Sequence, residues 1–271
     1  MHGPGDLDVL VPTKDRPASL AVTLAGLAAQ DARGFRVVIS DQSSVPVTGD
    51  PLVASAVRIL EHRGHPVSLL RHVPARGLAE QRQFLLEQAE RRWCLYLDDD
   101  VWLEPCAVSV LVSALGELGC GFVGYGLHGL SHRHDRRPHE LSPYEEWARQ
   151  VWPERVRRDS PAWRRHTLHN AANPLHLAEK VGISAAWRAY KVAWIGGCVL
   201  YDRALLEGCG GFEFWRSVPV AHAGEDVVAQ LRVMERHGGA GLLPSRAYHL
   251  ELPTTVMDRA AECYDYVMEP S

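Results

Sequence analysis

Leu95-Tyr96-Leu97-Asp98-Asp99-Asp100 is the stretch that decides the reading of this chain. An apolar run from Trp93 reads as a β-strand, and it ends abruptly in three carboxylates. Three adjacent negative charges repel unless a cation neutralises them. Hard divalent ions such as Mg²⁺ or Mn²⁺ take oxygen ligands and bridge diphosphates, so Asp98 and Asp100 are candidate metal ligands. The plain alternative is an acidic turn capping the next helix.

Outward from this strand the pattern alternates. Asp6 to Val11 reads as a strand ended by Pro12, and Arg16-Pro17 opens a helix to about Gln30. Phe35 to Ser40 is a second strand, Leu52 to Glu61 a helix, Val67 to His72 a third strand and Arg76 to Arg92 a helix. The acidic strand is therefore the fourth. A helix from Pro105 and a strand at Phe122-Val123 follow. This alternation predicts an α/β sandwich: a mainly parallel central sheet with helices on both faces. Ligands then collect beyond the carboxyl ends of the strands. Residues 125–191, rich in His, Arg and Trp, break the pattern and read as a helical and loop insertion, with helices near Pro143 to Val151 and Pro174 to Ala189. Val192 to Tyr201 reads as a strand, Gly224 to His237 as a helix and Arg246 to Leu250 as a last strand. The expected organisation is one domain, with a nucleotide-binding half over 1–124, the insertion, and an acceptor-side half over 192–271.

Gly224-Glu225-Asp226 opens a helix, where carboxylates suit the helix dipole. That placement is enough for a simple cap. A second acidic site also supplies a general base, with Asp226 taking the proton from an attacking hydroxyl. Asp41, after the second strand, can accept a hydrogen bond from the imide of uracil or thymine, or form an Asx turn.

Taken together, these segments resemble the family 2 glycosyltransferases of the GT-A fold. Val9 to Pro17 resembles the opening strand and nucleotide-contacting loop, which implies donor contacts at Pro12, Thr13 and Asp15. Ser40-Asp41-Gln42-Ser43 resembles the D-D-G-S element and puts Asp41 on its base-reading aspartate; Ser40 and Gln42 depart from it. Gly77 and Arg82 fall on the G-x-x-x-A-R-N stretch, with Gln81 and Gln83 departing, and Arg82 inherits a nucleotide contact. Asp98-Asp99-Asp100 matches D-x-D. The resemblance implies that Asp98 meets ribose or metal, Asp99 lies at the donor and Asp100 ligates the metal. Trp194 to Cys198 resembles an acceptor-side segment, and Gly210-Gly211-Phe212 with Gly224-Glu225-Asp226 resembles the G-G-F…E-D pair. His249 sits where relatives place a third metal ligand, and a structural histidine is the alternative. The implied activity is metal-dependent, inverting sugar transfer from a nucleotide-diphosphate donor, a UDP-sugar first. Asp226 would be the base, Glu225 would orient it, and Mn²⁺ or Mg²⁺ would be the cofactor. The acceptor would be a carbohydrate, lipid-linked glycan, protein or small molecule. A catalytically dead binding module on the same scaffold is the rival outside enzymes. A sugar nucleotidyltransferase is the rival within them, and Pro12-Thr13-Lys14-Asp15 lacks its G-x-G-T-R segment.

The 271 residues carry a net charge of −4, against the basic imprint of a nucleic-acid binder. Gly119 to Gly124 spells G-x-G-x-x-G but precedes a strand, unlike a dinucleotide fingerprint. The six cysteines form no C-x-x-C pair. His128, His132, His134 and His139 lack a fixed zinc spacing and read as solvated or as acceptor contacts, and the arginine run from Arg155 to Arg165 reads as a solvated face. Trp147, Trp152, Trp163 and Trp187 read as core ahead of sugar-stacking surfaces. No apolar run reaches the roughly 18 residues that span a bilayer. The expected location is cytoplasmic, with peripheral contact at the inner face of the membrane left open.

Overall fold

The computed structural model describes residues 3–182, 186–254 and 259–268. Its strands are β1 (Leu7–Thr13), β2 (Arg36–Asp41), β3 (Val67–Arg71), β4 (Trp93–Leu97), β5 (Val101–Leu103), β6 (Phe122–Gly124), β7 (Arg188–Tyr190), β8 (Cys198–Asp202), β9 (Gly239–Leu243) and β10 (Ala247–His249). Its helices are α1 (Pro17–Ala28), α2 (Pro51–His62), α3 (Leu78–Gln88), α4 (Ala107–Leu118), α5 (Asn173–Val181), α6 (Arg203–Gly208), α7 (Glu225–His237) and α8 (Cys263–Val267).

Eight strands form one sheet in the order β3-β2-β1-β4-β8-β6-β9-β7. Six run the same way, and β8 and β7 oppose them. Every residue of β1 is buried, as expected of a central strand covered on both faces. Successive side chains alternate sides. Val9 and Val11 pack with Leu20, Leu24 and Leu27 of α1 and Leu111 of α4, while Leu10 packs with Leu85 of α3 and Leu231 of α7. The sandwich therefore has a core on each side. At the N-terminus of α2, the Asp50 side chain accepts from Leu52 N at 2.9 Å and Val53 N at 3.2 Å, and Pro51 supplies the preset φ of a first turn.

Several boundaries differ from expectation. β1 runs through Pro12 to Thr13, because β4 pairs only with Leu7 to Leu10 and the missing N–H of Pro12 faces no partner there. α3 stops at Gln88, where the buried Asp8 carboxylate accepts from Glu90 N and Arg91 N and turns the chain. Residues 192–197 are a glycine-bearing loop, so β8 begins only at Cys198. β10 leaves the main sheet and pairs antiparallel with β5. No helix forms over 143–151; Glu146 instead bridges to Tyr190. Pro161–His169 is a 3-10 helix, and α5 ends at a left-handed Gly182, short of the expected Ala189. Residues 183–185 of that expected helix lie outside the described residues. The fully buried β9 was not expected, since Gly239-Ala240-Gly241 has little strand propensity. A Cβ on Gly239 would come within 2.2 Å of the Phe122 ring and one on Gly241 within 2.4 Å of the Tyr190 ring, so these glycines make room for aromatic packing.

Candidate active site

The carboxyl ends of β1 and β4, the 196–197 loop, the first turn of α7 and the middle of α3 converge at one edge of the sheet. Asp98 N donates to Gly197 O at 2.9 Å, which fixes the acidic turn against that loop. Gly197 has φ +74°, and a Cβ there would lie 2.6 Å from Leu127 Cδ1 and 3.2 Å from Asp98 Oδ2. Only glycine fits at this crossing.

Asp98 is about one-third exposed; Asp99 and Asp100 are buried. The Thr13 hydroxyl donates to Asp99 Oδ2 at 2.6 Å. Burial, only partly offset by this bond, pushes Asp99 up to about 7. Burial and then the Asp98 charge also raise Asp100. The Asp100 Oδ2 atom lies 2.7 Å from Arg16 Nη1 and 3.5 Å from His249 Nε2. His249 is brought there by the β5–β10 ribbon and by Leu250 N donating to Asp100 O. Its Nδ1 accepts from Glu251 N at 2.9 Å, so a neutral imidazole carries its proton on Nε2.

Arg82 is buried and forks between two acids, with Nε 2.9 Å from Glu225 Oε1 and Nη2 3.0 Å from Asp98 Oδ1. Burial alone would lower this guanidinium, but Asp98 and Glu225 outweigh it and raise it. Asp226 follows Glu225 in the first turn of α7, and its Oδ2 lies 3.8 Å from where a Gly196 side chain would begin. Burial, then the Glu225 charge, pushes Asp226 up to about 7.

Two cavities open on these residues. One, of about 410 Å³, is lined by Pro12, Thr13, Arg16, Gln81 and all three aspartates of the turn. The other, of about 510 Å³, is lined by Gly196, Gly197, Glu225, Asp226 and His169. They share Leu78, Asp98, His249 and Arg259, so they meet beside Asp98. Of the sequence candidates, Pro12, Thr13, Asp98, Asp99, Asp100 and His249 line the first cavity, and Arg82, Asp98, His249, Glu225 and Asp226 line the second. Asp15 and Asp41 line neither. Asp15 Oδ1 accepts from Ser44 N, while Asp41 accepts from Ser43 N at 2.9 Å and Val47 N at 3.0 Å and pairs with Arg71 at 3.2 Å. Asp41 is fully buried and closes its own loop, the Asx arrangement open to it from sequence.

The sequence assigned no role to Gln81, His169 or Arg259, which also line the cavities. Gln81 Nε2 donates to Ser40 O at 2.8 Å and ties β2 to α3 behind the first cavity. His169 Nδ1 pairs with Trp194 O at 2.7 Å and Nε2 with Tyr190 Oη at 2.8 Å, and burial lowers it to about 4. No local pattern marks Gln81 or His169, because their partners, Ser40 for the first and Tyr190 and Trp194 for the second, are distant in sequence. His128 is buried against Tyr248 and pairs with Ser245 O, unlike the solvated reading, because the loop that carries it pairs with β10. Arg165 is likewise buried, between Glu145 and Glu154, and Trp152 is the tryptophan of the four that stands exposed.

The glycosyl transferase family 2 model matches residues 8–182, well over half of the chain. The chain belongs to glycosyl transferase family 2. A relative from Haemophilus influenzae, named an uncharacterized glycosyltransferase, is 29% identical over 99 residues, covering 36% of this family 2 chain and 31% of its own. Among solved structures, S. aureus TarS 1-349 in complex with UDP-GlcNAc superposes with a TM-score of 0.60 at 17% identity, over 93% of this chain and 60% of that one. Mannosyltransferase PcManGT from Pyrobaculum calidifontis, in complex with GDP-Man and Mn²⁺, superposes with a TM-score of 0.52 at 19% identity, over 87% and 56%. The fold of this family 2 member is thus that of the GT-A glycosyltransferases. The chain spans about a third of the length of the Haemophilus relative and less than two thirds of either solved chain. Among the described residues, no helix is long and apolar enough to cross a membrane.

Proposed function

We propose that this chain is a metal-dependent, inverting glycosyltransferase that moves a sugar from a nucleotide-diphosphate donor, a UDP-sugar first, to an acceptor hydroxyl. The observation that carries this reading is the meeting of the two cavities beside Asp98, one walled by the acidic turn and the other by Asp226. The first takes the donor, with Pro12, Thr13 and Asp99 along its wall. The second takes the acceptor, which is a carbohydrate, a lipid-linked glycan or a small molecule.

Among the described residues, no three carboxylate, imidazole or thiol groups converge to chelate an ion by themselves. Magnesium-type sites need no such cage, because one or two carboxylates and the substrate's phosphates complete the shell. Asp98 and Asp100, hard oxygen donors on one turn, fit that donor set and would hold Mn²⁺ or Mg²⁺. His249 would join them only with its proton moved to Nδ1, against its present bond to Glu251 N. The metal would supply positive charge beside the leaving diphosphate.

The chain's own groups do the rest. Asp226 accepts the hydroxyl proton as the acceptor oxygen bonds to the anomeric carbon; the bond from that carbon to the diphosphate breaks, and its electrons leave with the phosphate. Attack from the face opposite the leaving group inverts the centre. Glu225 holds Arg82 in the wall of the second cavity, where it also pairs with Asp98, and so fixes Asp98 relative to Asp226. Solved neighbours complexed with UDP-GlcNAc and with GDP-Man and Mn²⁺ support a nucleotide-sugar donor.

With no acceptor added, water can take the acceptor's place. Incubated with a UDP-α-sugar and Mn²⁺, the protein should slowly release UDP, and the first sugar seen by proton NMR should be the β anomer. The rate should rise as pH climbs through about 7, because Asp226 is protonated and inert below that value. A first-formed α anomer would sink the inverting mechanism, and a rate flat from pH 5 to 8 would sink the base assignment.

A further inference from the structure

Arg16 sits against the acidic turn that the metal reading assigns to a divalent cation. Its Nη1 lies 2.7 Å from Asp100 Oδ2 and 3.5 Å from Asp99 Oδ1, and its Nη2 donates to Pro253 O. The side chain is only 14% exposed and lines the acidic cavity. Without it, the two buried carboxylates would lack their nearest cation. A guanidinium and a divalent ion against one carboxylate oxygen repel strongly at such short range in a partly desolvated cavity. We propose that Arg16 is the resident counter-cation of this site: it pairs with Asp100, lies against Asp99 and tethers the chain at Pro253 until a divalent ion displaces it from Asp100.

The inference rests on the metal reading above and adds an exchange to it. Arg16 and the ion exclude each other at Asp100, so ion entry frees both the guanidinium and Pro253. Coupling between two mutually exclusive ligands is reciprocal. Removing Arg16 should therefore tighten the ion's binding, and adding the ion should loosen the tether.

The test is Mn²⁺ binding to the full chain without nucleotide, read by the loss of the free-ion EPR signal. Arg16→Ala should bind Mn²⁺ about tenfold more tightly than wild type. Lys14→Ala, which removes the same charge from the same cavity wall, should change affinity much less. Hydrogen exchange read on a peptide covering 247–254 should speed up when Mn²⁺ is added to wild type, and should be fast in Arg16→Ala without it. Arg16→Gln serves the same test if the alanine variant does not fold. Equal affinity in wild type and Arg16→Ala, or equal tightening in Lys14→Ala, would overturn the exchange while leaving the metal reading intact. No Mn²⁺ binding in either wild type or Arg16→Ala would overturn the exchange, and the metal reading falls with it only if UDP brings no Mn²⁺ into the site either.

Discussion

Asp226→Asn should abolish sugar transfer while leaving nucleotide affinity within about twofold. Asparagine keeps the shape of the side chain but cannot take a proton, and a positioned general base contributes about 10²–10⁴-fold to rate. The side chain lines the second cavity and not the acidic one, so donor contacts are untouched. Parallel measurements of turnover and of nucleotide binding check this. Near-full turnover in the variant would remove Asp226 from the mechanism, whereas loss of both turnover and binding would place it in the donor site. Turnover in the neighbouring Glu225→Gln should fall less, because Gln can still accept a hydrogen bond from Arg82 Nε.

Arg82→Ala should be the most damaging single substitution for stability. It strips the shared cation from Glu225 and Asp98 and leaves Glu225, which is 5% exposed, without its partner. Breaking a buried pair in this way costs about 3–5 kcal/mol. For a domain of this size the thermal midpoint falls about 2–4 °C per kcal/mol, so a drop on the order of 10 °C is expected by calorimetry. Arg82→Lys should rescue little of it, because a single ammonium cannot reproduce the fork from Nε to Glu225 and from Nη2 to Asp98. A midpoint within 2 °C of wild type in the alanine variant would contradict the reading of Arg82 as the clamp between the two acids.

The sheet and its acidic turn were legible because they are written locally. Apolar strands of five to seven residues alternate with helices marked by Pro17 and by Asp50-Pro51, and a strand that stops in Asp98-Asp99-Asp100 announces where ligands gather. Elements whose conformation is set by distant partners were not. β9 is a strand because Phe122 and Tyr190 need the space that Gly239 and Gly241 leave, and α3 ends early because Asp8, far off in sequence, captures the amides of Glu90 and Arg91. At the site, sequence placed Asp98, Asp100, Glu225 and Asp226 as two acidic groups. It did not show that Arg82 joins them, or that Arg16 already occupies Asp100. Which partner a charged side chain finds is a property of the assembled ends of the strands, and no spacing rule encodes it.

The cavity walled by Asp98, Asp99 and Asp100 should take a nucleoside diphosphate together with a divalent ion. Calorimetric titration of UDP, GDP and dTDP into metal-free protein, with and without Mn²⁺, tests it most directly. One of them, UDP first, should bind in the presence of Mn²⁺ and much more weakly in its absence, and Asp100→Ala should lose this dependence. Folded protein that binds none of the three, with or without the ion, would contradict it.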